Sequence, residues 1–493
     1  MSDPLALLPL ALAAGGGRLG SAGGGPAEFE AQQLVAAGLT LLRRSALLVR
    51  ALSGKRSALL LPTTPAFITA LAASDGRGAV LINPLAAPPE IAFQCRDANV
   101  GAIFTTTSFV PRLPVGIAVV LLDDAPRSAR VLVDGRVQLI DLGSHHGLSI
   151  TGEIGVDGRD EEAVIVYTSA MRSTPLGAVL THRNLLANAE STVEAMAFSS
   201  DVHVLALLPL AHLFGLTATC TAPLLAGARV TTMGRFHPAR AADLLANGVT
   251  DVFGVPSVFH ALLAAIERRG VTVASGSLRL CVSGGAVLPR ELQDRWADVT
   301  GVELREGYGL TEAGPICLFN RVDHPNARGT LGVHFPGVDV GIFPPAGYDP
   351  EGASRDASVA PLADGVRGEI CVRGVSVSSG YLGGAQGLPH HGEWLCTGDA
   401  GVRDAEGRVT FLGVLKPMFT RNGFNIYPRE IERVVGALPG VTRVRVSAIP
   451  DPLKENDILL RVEGDVTEAE VRRWCEQQLS AYKQPGVVRI GDG

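Results

Sequence analysis

Apolar residues along this chain fall into short runs separated by amphipathic stretches, and the two spacings alternate for most of its length. Runs at 57–61, 79–82 and 101–105 have the character of buried strands, while 65–73 and 89–98 between them read as helices. The rhythm returns at 205–208, 230–233, 251–254 and 278–282, each followed by a helical pattern. Strands interleaved with helices predict an α/β fold with mainly parallel, stacked sheets. Further along the texture changes to short strands at 368–373 and 408–412 between Gly/Asp turns, which predicts a β-rich subdomain over 330–413. In the last stretch Pro428 suits the first turn of a helix, and Ile431, Val434, Val435 and Leu438 recur at helical spacing. Val444 and Val446 alternate as in a strand, the run 458–462 reads as another, and Thr467 with Glu470 forms a capping box. The expected organisation is an N-terminal arm with first helices (1–52), a large domain (53–413) and a small α+β C-terminal lid (414–493). The Gly-rich run 15–25 reads as a flexible lead-in.

Composition narrows the function classes. The 493 residues admit roughly two to four domains. A 46% hydrophobic, 19% charged composition is that of a globular chain, not a disordered one. The net charge of −6, without long runs of one sign, argues against nucleic-acid binding or a basic membrane-surface patch. Seven scattered cysteines, odd in number and never in C-x-x-C spacing, read as buried thiols in a reducing compartment. The apolar start is too short to span a membrane, and Asp3 without Lys or Arg argues against a secretory signal. A cytoplasmic protein with no membrane span is expected.

Chemistry-bearing residues cluster in five places. The stretch 163–184 runs from an apolar strand candidate through Tyr167, Thr168 and Ser169 into a loop of small residues with Pro175, then to Thr181, His182 and Asn184. Glycines flank Tyr308 in Glu306-Gly307-Tyr308-Gly309-Leu310-Thr311-Glu312, where they permit a tight turn. In that segment a hydroxyl can donate to phosphate and a carboxylate suits a hard cation. Ser283-Gly284-Gly285-Ala286 ends a strand candidate, the usual place for ligands in open α/β sheets. Asp399, in Trp394-Leu395-Cys396-Thr397-Gly398-Asp399, offers two acceptor oxygens. Pro209-Leu210-Ala211-His212-Leu213-Phe214-Gly215 carries a lone histidine on an apolar stretch, read equally well as a core residue or a site residue. Asn422-Gly423-Phe424-Asn425-Ile426-Tyr427-Pro428 opens the last region.

Together these segments resemble the adenylate-forming (AMP-binding) enzymes, and among them the fatty acyl-CoA synthetases, from about 53 to 485 of the chain. The resemblance implies roles. Thr168 and Ser169 belong to the phosphate loop, and Gly284, Gly285, Ala286, Gly307, Tyr308 and Gly309 form the adenine pocket. Thr311 meets the α-phosphate, Glu312 helps hold Mg²⁺, and Asp399 receives the ribose hydroxyls. His212 lies between the carboxyl site and an acyl pocket walled by Phe236 and the run 252–257, while Gly423 and Phe424 border the pantetheine tunnel. It implies ATP or AMP, Mg²⁺ and CoA or a carrier phosphopantetheine as ligands. It implies a small carboxylic acid, CoA or an acyl-carrier protein as partners, and leaves an oligomer open.

Departures from the pattern are marked. Ala170 and Ser173 stand for loop glycines, Met171 and Arg172 for threonines, and Leu176 for a lysine. Val414 stands for the ribose arginine and Pro417 for the hinge residue, and the chain stops at Gly493, before the position of the adenylating lysine. One lost preorganised donor costs on the order of 10²–10³ in rate. The expectation is therefore an acid–thiol ligase, slow or restricted to the acyl-transfer half-reaction. The alternative is a non-catalytic adenylate- or acyl-binding partner of an active enzyme.

Overall fold

The computed structural model describes residues 7–22, 28–74, 78–143, 160–168, 174–273, 277–345, 356, 358–385 and 387–491. The loop 169–173, with Ser169, Ala170, Met171, Arg172 and Ser173, lies outside the described residues.

Two nine-stranded sheets dominate. In one, the parallel run Arg18–Ser21, Arg229–Thr232, His203–Ala206, Asp251–Gly254, Leu280–Ser283 and Leu304–Gly309 is closed on one side by the antiparallel strands Ile316–Phe319 and Val333–His334. In the other, Glu162–Thr168, Ala79–Leu81, Arg56–Leu60, Val100–Thr105 and Ala118–Leu122 run parallel, with antiparallel strands at both edges. The strand Glu162–Thr168 shows why: Ala163, Val164, Ile165 and Val166 are all buried, so both faces need cover.

Helices supply that cover. One core joins Leu59, Phe104 and Val164 of one sheet to Val204, Val230 and Phe253 of the other, across the helices Ala31–Arg44, Ala66–Ala73 and His182–Ala195. Outer cores lie on the far faces, one around Phe259 and Trp296, the other around Val80, Ile91 and Ile103. Ile91 and Cys95 bring the helix Pro88–Asp97 onto the second of these. Each expected strand of the large domain appears, most within two residues of its predicted span.

The Gly-rich lead-in does not behave as expected. Arg18–Ser21 is a strand that pairs with Arg229–Thr232, and Leu8, Leu12 and Leu19 are fully buried. Burial of three leucines outweighs the entropic cost of ordering glycine-rich chain. The remaining glycines, 23–25, lie outside the described residues.

A five-stranded antiparallel sheet follows, with Val338–Phe343, Gly368–Gly374, Trp394–Arg403, His390–His391 and Val409–Val414. The C-terminal region has its own core of Ile426, Ile431, Val435, Ile458, Leu460 and Val471. There Val441–Asp451, Glu455–Gly464 and Val487–Ile490 form a sheet under the helices Pro428–Gly436 and Glu468–Gln478. Thr467 and Glu470 make the expected capping box.

Candidate functional site

The motif residues meet at the C-terminal ends of parallel strands, where such sheets leave a crevice. The strand Leu280–Ser283 delivers Gly284, Gly285 and Ala286; the strand Leu304–Gly309 delivers Gly307, Tyr308 and Gly309. A Cβ on Gly309 would lie 1.8 Å from the Pro315 carbonyl oxygen, so only glycine fits this crossing. The turn Thr311–Ala313 then places Thr311, half-buried, beside the buried Glu312.

Asp399 is the hub of the first cluster. Its Oδ2 accepts the Tyr308 hydroxyl at 2.7 Å, and its backbone N–H donates to Thr397 Oγ1. Lys416 Nζ stands 3.4 Å from Oδ1 and donates to the Thr397 carbonyl at 2.8 Å. Oδ1 itself is buried without a hydrogen-bond partner among the described residues. A buried carboxylate oxygen in that state is matched to an incoming hydroxyl donor. Burial works against the charge of Lys416, but Asp399, Tyr427 and Glu312 outweigh it and hold the ammonium above its ordinary value. Glu369, itself buried, fixes the preceding turn by accepting the Gly398 N–H.

Glu312 is the hub of the second. Its Oε1 accepts the hydroxyls of Thr168 at 2.8 Å and Tyr381 at 2.9 Å, and its carbonyl accepts the Ser378 N–H. No group of three potential metal ligands exists among the described residues. The Glu312 carboxylate can supply one oxygen ligand to a hard cation.

His212 caps the short helix Leu213–Leu216, its Nδ1 accepting the Phe214 N–H at 3.3 Å. The residue is solvent-accessible, yet the surrounding protein desolvates it and pushes its imidazole below the ordinary value. The neutral ring with Nδ1 as acceptor carries its proton on Nε2, which makes it a donor. Opposite, the C-terminal region enters the crevice. Gly423, at φ +75°, sits so close to Val255 that a Cβ would come within 2.4 Å of Cγ1. Its carbonyl oxygen approaches Gly285, where a Cβ would lie 3.7 Å away. Phe424 stacks on Tyr482 with ring centres 4.3 Å apart.

The sequence pattern of the AMP-binding enzyme family matches residues 43–382. The chain belongs to the AMP-binding enzyme family. Among curated relatives of this family member, a long-chain-fatty-acid–CoA ligase of Escherichia coli O157:H7 is 29% identical over 475 residues, covering 89% of this chain and 82% of the relative. A feruloyl-CoA synthase of Amycolatopsis sp is 28% identical over 449 residues, covering 89% and 85%. Among solved structures, a malonyl-CoA ligase ternary product complex with methylmalonyl-CoA and AMP bound has a TM-score of 0.77 at 26% identity, covering 100% of this chain and 99% of that one. ATP-bound MatB from Rhodopseudomonas palustris has a TM-score of 0.69 at 25% identity, covering 98% and 95%.

Some sequence-expected residues of this AMP-binding enzyme fall elsewhere. Ser169 lies outside the described residues, so Thr168 alone represents that loop at the Glu312 cluster. Val252 and Phe253 do not wall a pocket: both are fully buried, in cores on opposite sides of their strand. Of the run 252–257, the half-buried Val255 and Ser257 remain accessible. Thr181, His182 and Asn184 prove architectural. Thr181 and Asn184 cap the helix His182–Ala195, Asn184 also holds the carbonyls of Val375 and Val377, and His182 Nδ1 accepts the Leu8 N–H. Lys416, Tyr381 and Glu369 are the residues sequence reasoning missed. A lysine just before Pro417, in an otherwise apolar stretch, was the available signal for the first; Tyr381 and Glu369 left none.

Proposed function

We propose that this protein is an AMP-forming acid–thiol ligase that activates a carboxylic acid, a fatty acid above all, and passes the acyl group to CoA. Family membership and the long-chain ligase and feruloyl-CoA synthase relatives support the ligase class. The observation that carries the transfer step is the Gly423 loop seated against Val255 and Gly285, on the same crevice as Asp399, Tyr308 and Glu312.

On this reading Asp399 Oδ1 receives a ribose hydroxyl, and Gly284, Gly285 and Tyr308 flank the adenine. Thr311 meets the α-phosphate, and Glu312 would hold Mg²⁺, which when bound would neutralise phosphate charge. The His212 Nε2–H donates to the carboxyl oxygen of the acid. In transfer, the thiol sulfur bonds to the acyl carbon, the acyl–phosphate C–O bond breaks, AMP departs, and the thiol proton is released to solvent. Orientation by the Gly423 loop is the main contribution of the C-terminal region, which we take as a lid over 414–493. Leu176, half-buried at the start of its strand, brings no charge to the phosphate side.

Two half-reactions therefore respond differently. Carboxylate-dependent pyrophosphate exchange is expected to be slow and to rise with acyl chain length across a graded series of fatty acids. Exchange that ignores chain length, or prefers aromatic acids, contradicts the fatty-acid assignment.

A further inference from the structure

Glu90 lies on the helix Pro88–Asp97, on the outer face of the large domain, in none of the motifs that mark the nucleotide site. It accepts the Ala87 N–H at 2.7 Å and so caps its own helix. Two further donors reach it from the far end of the chain. Lys483 Nζ lies 2.8 Å from Glu90 Oε1, and the Ser480 hydroxyl donates to Oε2. Lys483 is shared with Glu430 at 2.6 Å, and the side chains of Glu90, Lys483 and Glu430 are only 17%, 10% and 5% exposed. Loss of Lys483 would leave two buried carboxylates without their cation, whereas loss of Glu90 leaves the Lys483–Glu430 pair intact and removes only the tie to the large domain.

The turn that carries Lys483 is tied directly to the loop in the crevice. Arg421 donates to the carbonyls of Tyr482 at 3.0 Å and Gln484 at 2.7 Å, and pairs with Asp457 at 2.8 Å. Arg421 belongs to the hairpin Phe419–Arg421 and Phe424–Ile426, whose tip is Gly423. The Tyr482 ring stacks on Phe424. Every link from Glu90 to Gly423 is a packed or hydrogen-bonded contact: Glu90, Lys483, Tyr482, Phe424 and Arg421, then Gly423 against Val255. A shift of the turn relative to helix Pro88–Asp97 therefore moves the loop.

We propose that Glu90 is a positioning residue for acyl transfer: with Lys483 and Ser480 it fastens the C-terminal region to the large domain so that Gly423 and Phe424 stay in the crevice. This rests on the ligase reading above. Glu90 belongs to neither of the clusters around Asp399 and Glu312. Burial alone would push the Lys483 ammonium down, but Tyr482, Glu430 and Glu90 hold it well above its ordinary value, so the clasp stays charged.

The test is Glu90→Gln. The amide oxygen can still cap the helix, and the Lys483–Glu430 pair within the C-terminal region is untouched, so folding should survive; Ser480→Ala is the milder second variant. Two readouts are taken. Cysteines introduced at the exposed Val115 and Leu453 carry spin labels for a distance distribution, all seven native thiols being buried. Thioester formation from a synthetic acyl-adenylate and CoA gives kcat and KM. The parent is expected to show one narrow distance population. Glu90→Gln should broaden it and lower kcat/KM for CoA roughly 10- to 100-fold, with Kd for AMP unchanged within about twofold because Asp399 and Tyr308 sit on the large domain. An unchanged distance distribution overturns the clasp, whatever the kinetics. A parent that makes no thioester overturns the ligase reading instead, and the distance measurement still decides the clasp.

Discussion

At the scale of single residues, the site is defined by which polar atoms are satisfied and which are not. Asp399 Oδ2 is taken by Tyr308 while Oδ1 keeps only the Lys416 ammonium at 3.4 Å, which leaves an acceptor for a hydroxyl. Glu306, at the start of the same motif, is a different case. It takes backbone N–H groups of Leu288 and Gly329, yet its Oε2 is buried without a partner among the described residues, and burial pushes its carboxyl up to about 7. A carboxyl raised in the folded state binds more protons there than in the unfolded chain between about pH 4.5 and 7. Stability must then fall as pH rises through that window. Glu306→Gln removes the effect, so the variant should outlast the parent at pH 7.5 by a few kcal/mol, on the order of the shift times 1.4 kcal/mol per unit. Urea unfolding at pH 5 and pH 7.5 measures this. Equal pH slopes for parent and variant would mean that Glu306 ionises as an ordinary carboxylate.

Elements decide how much of this could be foreseen. Strands such as Ala79–Leu81 and Val100–Thr105 were legible because parallel strands buried on both faces are written as continuous apolar runs. Arg18–Ser21 was not, because four residues beside glycines carry no period, and their partner strand, Arg229–Thr232, lies some two hundred positions away. The site shows the same division. Tyr308, Glu312 and Asp399 stand in dense local motifs, whereas Lys416 and Tyr381 act through contacts that only the folded chain creates. The Gly423 hairpin was legible as a motif, and the resemblance implied its place beside the pantetheine tunnel; its seat against Val255 was not legible. Its glycine is demanded twice, by φ +75° and by the Val255 side chain. Gly423→Ala should therefore displace the loop, lowering thioester formation on the order of 10²-fold while leaving AMP affinity intact. Titration calorimetry with AMP beside a CoA transfer assay checks both halves. A variant with full transfer activity would place the loop outside the reaction.

For the whole molecule, the division of labour follows the chain. Two packed sheets hold Gly285, Tyr308 and Gly309 on strand ends, the antiparallel sheet contributes Asp399, and the C-terminal region brings Gly423 against Val255. No helix among the described residues is long and apolar enough to cross a membrane. The contact between Lys483 and Glu90 joins the C-terminal region to the helix Pro88–Asp97, and under the proposed clasp the geometry of transfer depends on it. The most direct measurement of the central claim is single-turnover mixing of the protein, preloaded with a synthetic long-chain acyl-adenylate, with CoA. Thioester and AMP should appear together in equal amounts, and the rate should saturate with CoA. Retention of the acyl-adenylate with no thioester formed would contradict the account.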